Sequence, residues 1–344
     1  MKYMLYPTSR SAWRAMFSAI TQAKKSIYIE MYAISDDTAE TFDFLGQLKL
    51  KARQGLKVII IADSNGSAEL KEEIIKELNN VGIEFIFFSH WLRRTHRKIL
   101  IVDEKIGFLG GVNIKKSFAT WQDLQVKISG RLVKILLKSF AHTYALCHGK
   151  DRHILEYRQR SFLGKFNFWL LEHSPIRGMY SLRRYYQEKI SHAQKSIIMV
   201  TPYFTPPRWL IAELDAAKRR GVEIKIIVPE NTDISIVNRI NYYYFTRLAN
   251  LGIVFYLSHK MNHAKVFLID GEEALIGSQN IDFLSFDLNA EVGLFFRDKA
   301  LIADLTKIID GWLRNAVLFR ADKFKANFLD YFLILFAKVF WPFL

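Results

Sequence analysis

Five positions of this chain occur twice at one spacing, which demands a fold built from two copies of a single unit. His96, Lys98, Asp103, Gly110 and Asn113 form the first set, and His263, Lys265, Asp270, Gly277 and Asn280 form the second. In both, Lys lies two after His, Asp seven after, Gly fourteen after and Asn seventeen after. The repeat extends beyond the motifs. Ala23-Lys24-Lys25-Ser26-Ile27 is echoed by Ala193-Gln194-Lys195-Ser196-Ile197, and Arg53-Gln54-Gly55-Leu56-Lys57-Val58 by Arg219-Arg220-Gly221-Val222-Glu223-Ile224. The offsets are 170 at Lys25/Lys195, 166 at Gly55/Gly221 and 167 at His96/His263, so insertions between the copies are small. The two motifs read as half-sites of one active site.

Each copy alternates amphipathic helix with apolar, β-branched strand, the pattern of an α/β sandwich, here expected around a largely parallel sheet. Gly55 and Gly221 suit helix C-terminal caps before such strands. Helices are expected over 68–80 and 234–250, each followed by Gly and a short strand, and over 132–148 and 301–317 at the close of each half. Each motif reads as a hairpin: Ile99–Val102 runs out, Glu104-Lys105 turns, and Ile106–Leu109 returns. His and Lys two apart on a strand share a face, as a joint grip on one phosphate requires. The domain reading is a first half at 1–150, an inserted aromatic and basic linker at 151–175, a second half at 176–320 and an apolar tail at 321–344.

A length of 344 residues allows two ordinary cores, and a net charge of +15 calls for a polyanionic partner: nucleic acid, anionic lipid headgroups or a phosphorylated substrate. Cys147, the only cysteine, excludes an internal disulfide and a thiolate metal cluster. No secretory signal is evident at the start, which suggests a cytosolic face. The insertion reads equally as a packed linker or as a membrane-touching arm. In the tail, Phe328 to Leu344 is dense in aromatics, interrupted by Asp330 and Lys338, and preceded by Arg320, Lys323 and Lys325. It is short for a bilayer span and suits an amphipathic helix in the headgroup interface; a helix docked on the protein's own core is the alternative.

The residue set fits phosphodiester chemistry without a metal or cofactor. One neutral imidazole attacks phosphorus to give a phosphohistidine, and the other, protonated, hands its proton to the leaving alkoxide. Lys98, Lys265, Asn113 and Asn280 would bind the non-bridging oxygens, with Gly110 and Ser278 lining the phosphate site. Asp103 and Asp270 complete the catalytic motifs and are assigned to holding the hairpins.

The paired motif resembles the phospholipase D superfamily, and in detail the bacterial cardiolipin synthases. The stretches that carry the finer likeness are Arg94-Thr95-His96-Arg97-Lys98, Trp121-Gln122-Asp123, Thr201-Pro202-Tyr203-Phe204 and Ser285-Phe286-Asp287-Leu288-Asn289-Ala290-Glu291. Leu109 and Leu284 depart from the synthases' usual residues, and no transmembrane helices precede the first half, as in a short-form member. The resemblance implies two duplicated α-β-α halves about a pseudo-twofold axis, with His96 as nucleophile and His263 as general acid and base. It also implies carboxylates that orient the imidazoles. Asp123, 27 after His96, and Glu291, 28 after His263, stand at the right distance in their own halves.

The resulting expectation is a peripheral enzyme on the cytoplasmic face that transfers a phosphatidyl group to phosphatidylglycerol and releases glycerol. A phospholipase hydrolysing its lipid and a nuclease of the same superfamily are the rivals; the apolar tail and the duplication in one chain speak against nucleic acid.

Overall fold

The computed structural model of the chain describes residues 2–160 and 167–323. The first half runs β1 (Tyr3–Thr8), α1 (Ser9–Thr21), β2 (Ser26–Met31), α2 (Phe44–Arg53), β3 (Lys57–Asp63), α3 (Glu72–Asn80), β4 (Ile83–Phe88), β5 (Lys98–Val102), β6 (Ile106–Gly110), β7 (Gln122–Ser129) and α4 (Arg131–Leu146), with a short α5 (Arg152–Glu156) after it. The second half repeats the order: β8 (Phe168–His173), α6 (Ser181–His192), β9 (Ser196–Val200), the short β10 (Phe204–Thr205), α7 (Arg208–Arg219), β11 (Glu223–Pro229), α8 (Ser235–Ala249) and β12 (Val254–Ser258). It continues through β13 (Val266–Ile269), β14 (Glu273–Gly277), the short β15 (Ile281–Asp282), β16 (Glu291–Phe296), α9 (Lys299–Arg314) and β17 (Ala316–Leu318).

Strand patterning explains the layers. In β2, β3 and β5 the side chains are buried on both faces, because Tyr28, Ile59, Ile61, Ile99 and Ile101 enter one core while Ile27, Ile29, Val58, Ile60 and Leu100 enter another. A strand apolar on both faces needs cover on both. On the inner side that cover is α4 and α9: Leu136, Leu137 and Phe140 from one, and Leu305, Ile309 and Trp312 from the other, share a single core with strands of both sheets. Helices α1 and α2 close the outside of the first sheet, and α6, α7 and α8 that of the second. The result is two α-β-α sandwiches joined through a common helical layer. Helices α2 and α7 end at Gly55 (φ 86°) and Gly221 (φ 91°), a left-handed turn that favours glycine.

Three expectations change. The sheets are mixed rather than largely parallel, with orders β1-β7-β6-β5-β2-β3-β4 and β17-β12-β11-β9-β13-β14-β16-β8. Among the described residues of these two sheets only β2-β3-β4 and β9-β11-β12 pair in parallel, and the short β10 and β15 form a separate parallel pair. Within each motif hairpin the connection is too short for a parallel crossover, so its strands run antiparallel, and the strands that return beside them, β7 and β16, are antiparallel as well. The 151–175 insertion is not without a partner: β8 pairs with β16 as β1 pairs with β7, so the second half opens at Phe168 and not at 176. Strand pairing uses backbone groups, and Phe168–His173 needs no sequence likeness to Tyr3–Thr8 to fill the same place. Finally, α9 stops at Arg314, and Ala316–Leu318 turns back as an edge strand on β12. The tail from residue 324, and residues 161–166 of the expected arm, lie outside the described residues.

Candidate active site

The halves meet by exchanging backbone. The Thr95–His96 segment, just ahead of β5, pairs with Ala290, just ahead of β16: His96 N donates to the Ala290 carbonyl at 2.9 Å, and Ala290 N to the Arg94 carbonyl at 2.8 Å. The second motif does the same, with His263 N donating to the Gln122 carbonyl at 2.7 Å and Gln122 N to the Met261 carbonyl at 3.0 Å. Each histidine segment is thereby laid beside the carboxylate-bearing strand of the opposite half.

That exchange crosses the pairing expected from spacing. His96 Nδ1 donates to Glu291 Oε1 at 3.0 Å, and His263 Nδ1 to Asp123 Oδ2 at 2.9 Å. Distance along the chain suggested partners within a half, whereas the interface supplies them across it. With Nδ1 of each ring engaged, Nε2 is the nitrogen left for chemistry. Both rings line one cavity of about 440 Å³, together with Asn113 and Asn280.

Lys98 and Lys265 lie beneath, each essentially without solvent contact and each donating from Nζ to the carbonyl of its own motif histidine at 2.6 Å. Burial pushes both ammonium groups down, Lys265 to about 7 and Lys98 well below its ordinary range, while the Asp123 and Glu291 carboxylates oppose the shift. The imidazoles move the same way. Burial and then Lys265 take His263 to about 4, and burial with Lys98 and Lys265 takes His96 well below its usual range. Positive charge is crowded here with too little counter-charge, and a bound phosphate would supply what is missing.

The two carboxylates are not equivalent. Glu291 accepts from His96, from the Ser285 hydroxyl at 2.8 Å and from the Ser278 hydroxyl. Asp123 accepts from His263 and from Leu124 N at 2.7 Å. The position matching Ser278 is Gly111, where an added Cβ would lie 2.1 Å from Asp123 Oδ1. Ser278 therefore serves the carboxylate and not the phosphate site expected of it. Gly110 also falls outside the cavity lining. A side chain there would meet the Leu124 carbonyl at 2.2 Å, so it is the close approach of β6 and β7 that requires glycine. Asp103 and Asp270 stand at the far ends of their strands from the histidines. Asp103 accepts from the backbone of Lys24, Lys25 (2.7 Å) and Ser26, and Asp270 from that of Gln194, Lys195 (2.7 Å) and Ser196.

Sequence reasoning missed the aromatic frame. The Tyr32 ring stands edge-on to His96 with centroids 4.9 Å apart, Tyr203 faces His263 at 6.2 Å, and Trp121 covers His263 at 5.2 Å. The repeat held the signal for the two tyrosines: both follow the matching strands β2 and β9, at an offset of 171.

A duplicated α/β fold whose halves each bring a carboxylate-fixed imidazole to one cavity, with a buried lysine two residues after it, defines the phospholipase D-like class. Within it, the chain belongs to the family described as cardiolipin synthase, PLD-like domain, which matches residues 16–144 and 186–312. It is 32% identical to the probable cardiolipin synthase YwiE of Bacillus subtilis over 84% of this chain and 61% of that protein. It is 31% identical to a cardiolipin synthase of a Geobacillus species, over 84% and 62%. The chain thus spans about three fifths of the length of these relatives. Against the minor cardiolipin synthase ClsB of Bacillus subtilis it is 27% identical over 90% of this chain and 80% of that one. In fold it is similar to the crystal structure of phosphatidylserine synthase from Haemophilus influenzae, with a TM-score of 0.78 and 16% identity over 99% of this chain and 94% of that one.

Proposed function

We propose that the chain transfers a phosphatidyl group through a phosphohistidine to phosphatidylglycerol, forming cardiolipin and releasing glycerol. The observation that carries the reading is the reciprocal fixing of two imidazoles, one from each half, in one cavity, each with a buried lysine bonded to its own backbone carbonyl. His96 Nε2 attacks phosphorus, and the P–O bond to glycerol breaks as His263 gives that oxygen its proton. His263, now neutral, then takes the proton of the incoming lipid hydroxyl, whose oxygen displaces His96 and restores the free enzyme. Lys98 and Lys265, with Asn113 and Asn280, hold the non-bridging oxygens as charge builds on them.

The unequal carboxylates support this division of roles between the two histidines. Glu291 shares its charge among three donors and so supports an imidazolium at His96 less. Asp123, with fewer donors, supports one at His263 more. The names of the similar synthases speak for a phosphatidyl group and a lipid acceptor. The surface agrees with an anionic bilayer held peripherally: Ile234 is 44% exposed where it lines the cavity, Phe283 adjoins the lining residue Leu284, and Trp91 is 85% exposed in the turn leading to Arg94. Among the described residues no helix is long and apolar enough to cross a membrane.

Incubating purified protein with phosphatidylglycerol vesicles should yield cardiolipin and glycerol in equal amounts by mass spectrometry. Phosphatidic acid alone would turn the reading to hydrolysis, and nicking of plasmid DNA that is lost in His96→Ala would turn it to a nuclease.

A further inference from the structure

A lipid acceptor of the kind proposed above brings a second phosphate into the cavity, one glycerol away from the hydroxyl that attacks. The repeated motif serves only the first phosphate. Lys98 and Lys265 are related by the duplication, are buried, and sit under the two imidazoles. Farther out, the symmetry is broken.

The outer wall from the first half carries Arg94 and Lys115. The facing wall from the second half carries Asp233 and Asp282, with the Tyr203 hydroxyl donating to Asp233 Oδ1 at 2.7 Å, and no lysine or arginine among the described lining residues. At the repeat offset of 167, Arg94 corresponds to Met261, so the cation occurs once where the motif cations occur twice. Lys115 is taken up by Glu69 at 2.8 Å. Arg94 is held at its backbone, where its carbonyl accepts from Ala290 N across the interface, and it lines the cavity together with Tyr32. The Tyr32 ring stands edge-on to His96, and Arg94 lines the same cavity as both, so it borders the attacking imidazole. A planar guanidinium presents paired donors that match two phosphate oxygens, which an ammonium does not.

We propose, on the transfer reading, that Arg94 binds the phosphate of the acceptor and so selects alcohols that are themselves phosphodiesters over neutral alcohols and water. The symmetric part of the site handles the phosphorus that is transferred. The asymmetric part decides what receives it.

The test uses the full chain and phosphatidylglycerol vesicles in buffer containing ethanol, with cardiolipin, phosphatidylethanol and phosphatidic acid read together by mass spectrometry. All three products come from one covalent intermediate, so their ratio reports acceptor choice and does not depend on how much enzyme is folded. Arg94→Gln should lower the ratio of cardiolipin to phosphatidylethanol about tenfold or more, and Arg94→Lys should fall between that variant and the parent protein. An unchanged ratio in Arg94→Gln, with the parent protein making cardiolipin, would overturn the role of Arg94 alone. A parent protein that makes phosphatidylethanol and phosphatidic acid without cardiolipin would overturn the transfer reading, and this proposal with it.

Discussion

At the scale of single residues, the site is organised around charges that the fold cannot neutralise by itself. Lys265 titrates near 7 because burial outweighs the help it gets from Asp123 and Glu291. Its depressed value means that the empty site holds fewer protons than the occupied one, since an anion between the lysines favours the ammonium form. Sulfate, a phosphate mimic whose own charge is constant over this range, should therefore bind more weakly as pH rises above about 7, with proton uptake on binding. Calorimetry at pH 6 and pH 8 in buffers of different ionisation enthalpy measures both. Lys265→Met should weaken binding and remove most of the pH dependence; a parent protein whose affinity does not change between the two pH values would contradict the account. The histidines and lysines were legible because the motif repeats them. The crossing of Glu291 to His96 and of Asp123 to His263 was not, because separation along one chain says nothing about which half's strand lies alongside at an interface.

Among elements, the hairpins β5–β6 and β13–β14 carry the chemistry at one end and their anchorage at the other. Asp103, in the left-handed region at φ 52°, gathers three successive N–H groups at the join of α1 and β2, and Asp270 at φ 54° does the same between α6 and β9. Losing the carboxylate leaves those donors without their acceptor, so Asp103→Ala should cost about 1–3 kcal/mol of stability in urea unfolding. The fall in activity should then follow the fraction unfolded, and a variant that stays fully folded yet is inactive would give Asp103 a chemical role instead. The repeat made the matching helices and strands from β2 to β6 readable in advance. It could not reveal β8, which occupies the place of β1 with unrelated residues, nor the antiparallel pairing that short connections impose on the hairpin strands.

For the whole molecule, neither half is sufficient. The inner core is shared, since α4 and α9 pack in one cluster with strands of both sheets, and the imidazole of each half depends on the carboxylate of the other. Composition announced a partner rich in negative charge, and the fold shows where apolar side chains gather near the cavity. Trp91, with its ring in solvent, should act as an interfacial anchor. Trp91→Ala should reduce sedimentation with phosphatidylglycerol vesicles by roughly threefold to tenfold while leaving phosphate binding in solution intact; unchanged sedimentation would place the membrane contact elsewhere on the surface.

The shared site has one direct chemical signature. His263→Asn retains the nucleophile and removes the group that completes the second step, so acid-quenched protein mixed with phosphatidylglycerol should carry a phosphatidyl adduct on His96, identified by peptide mass spectrometry. An adduct on any other residue, or undiminished turnover by His96→Ala, would contradict a single site assembled from both halves.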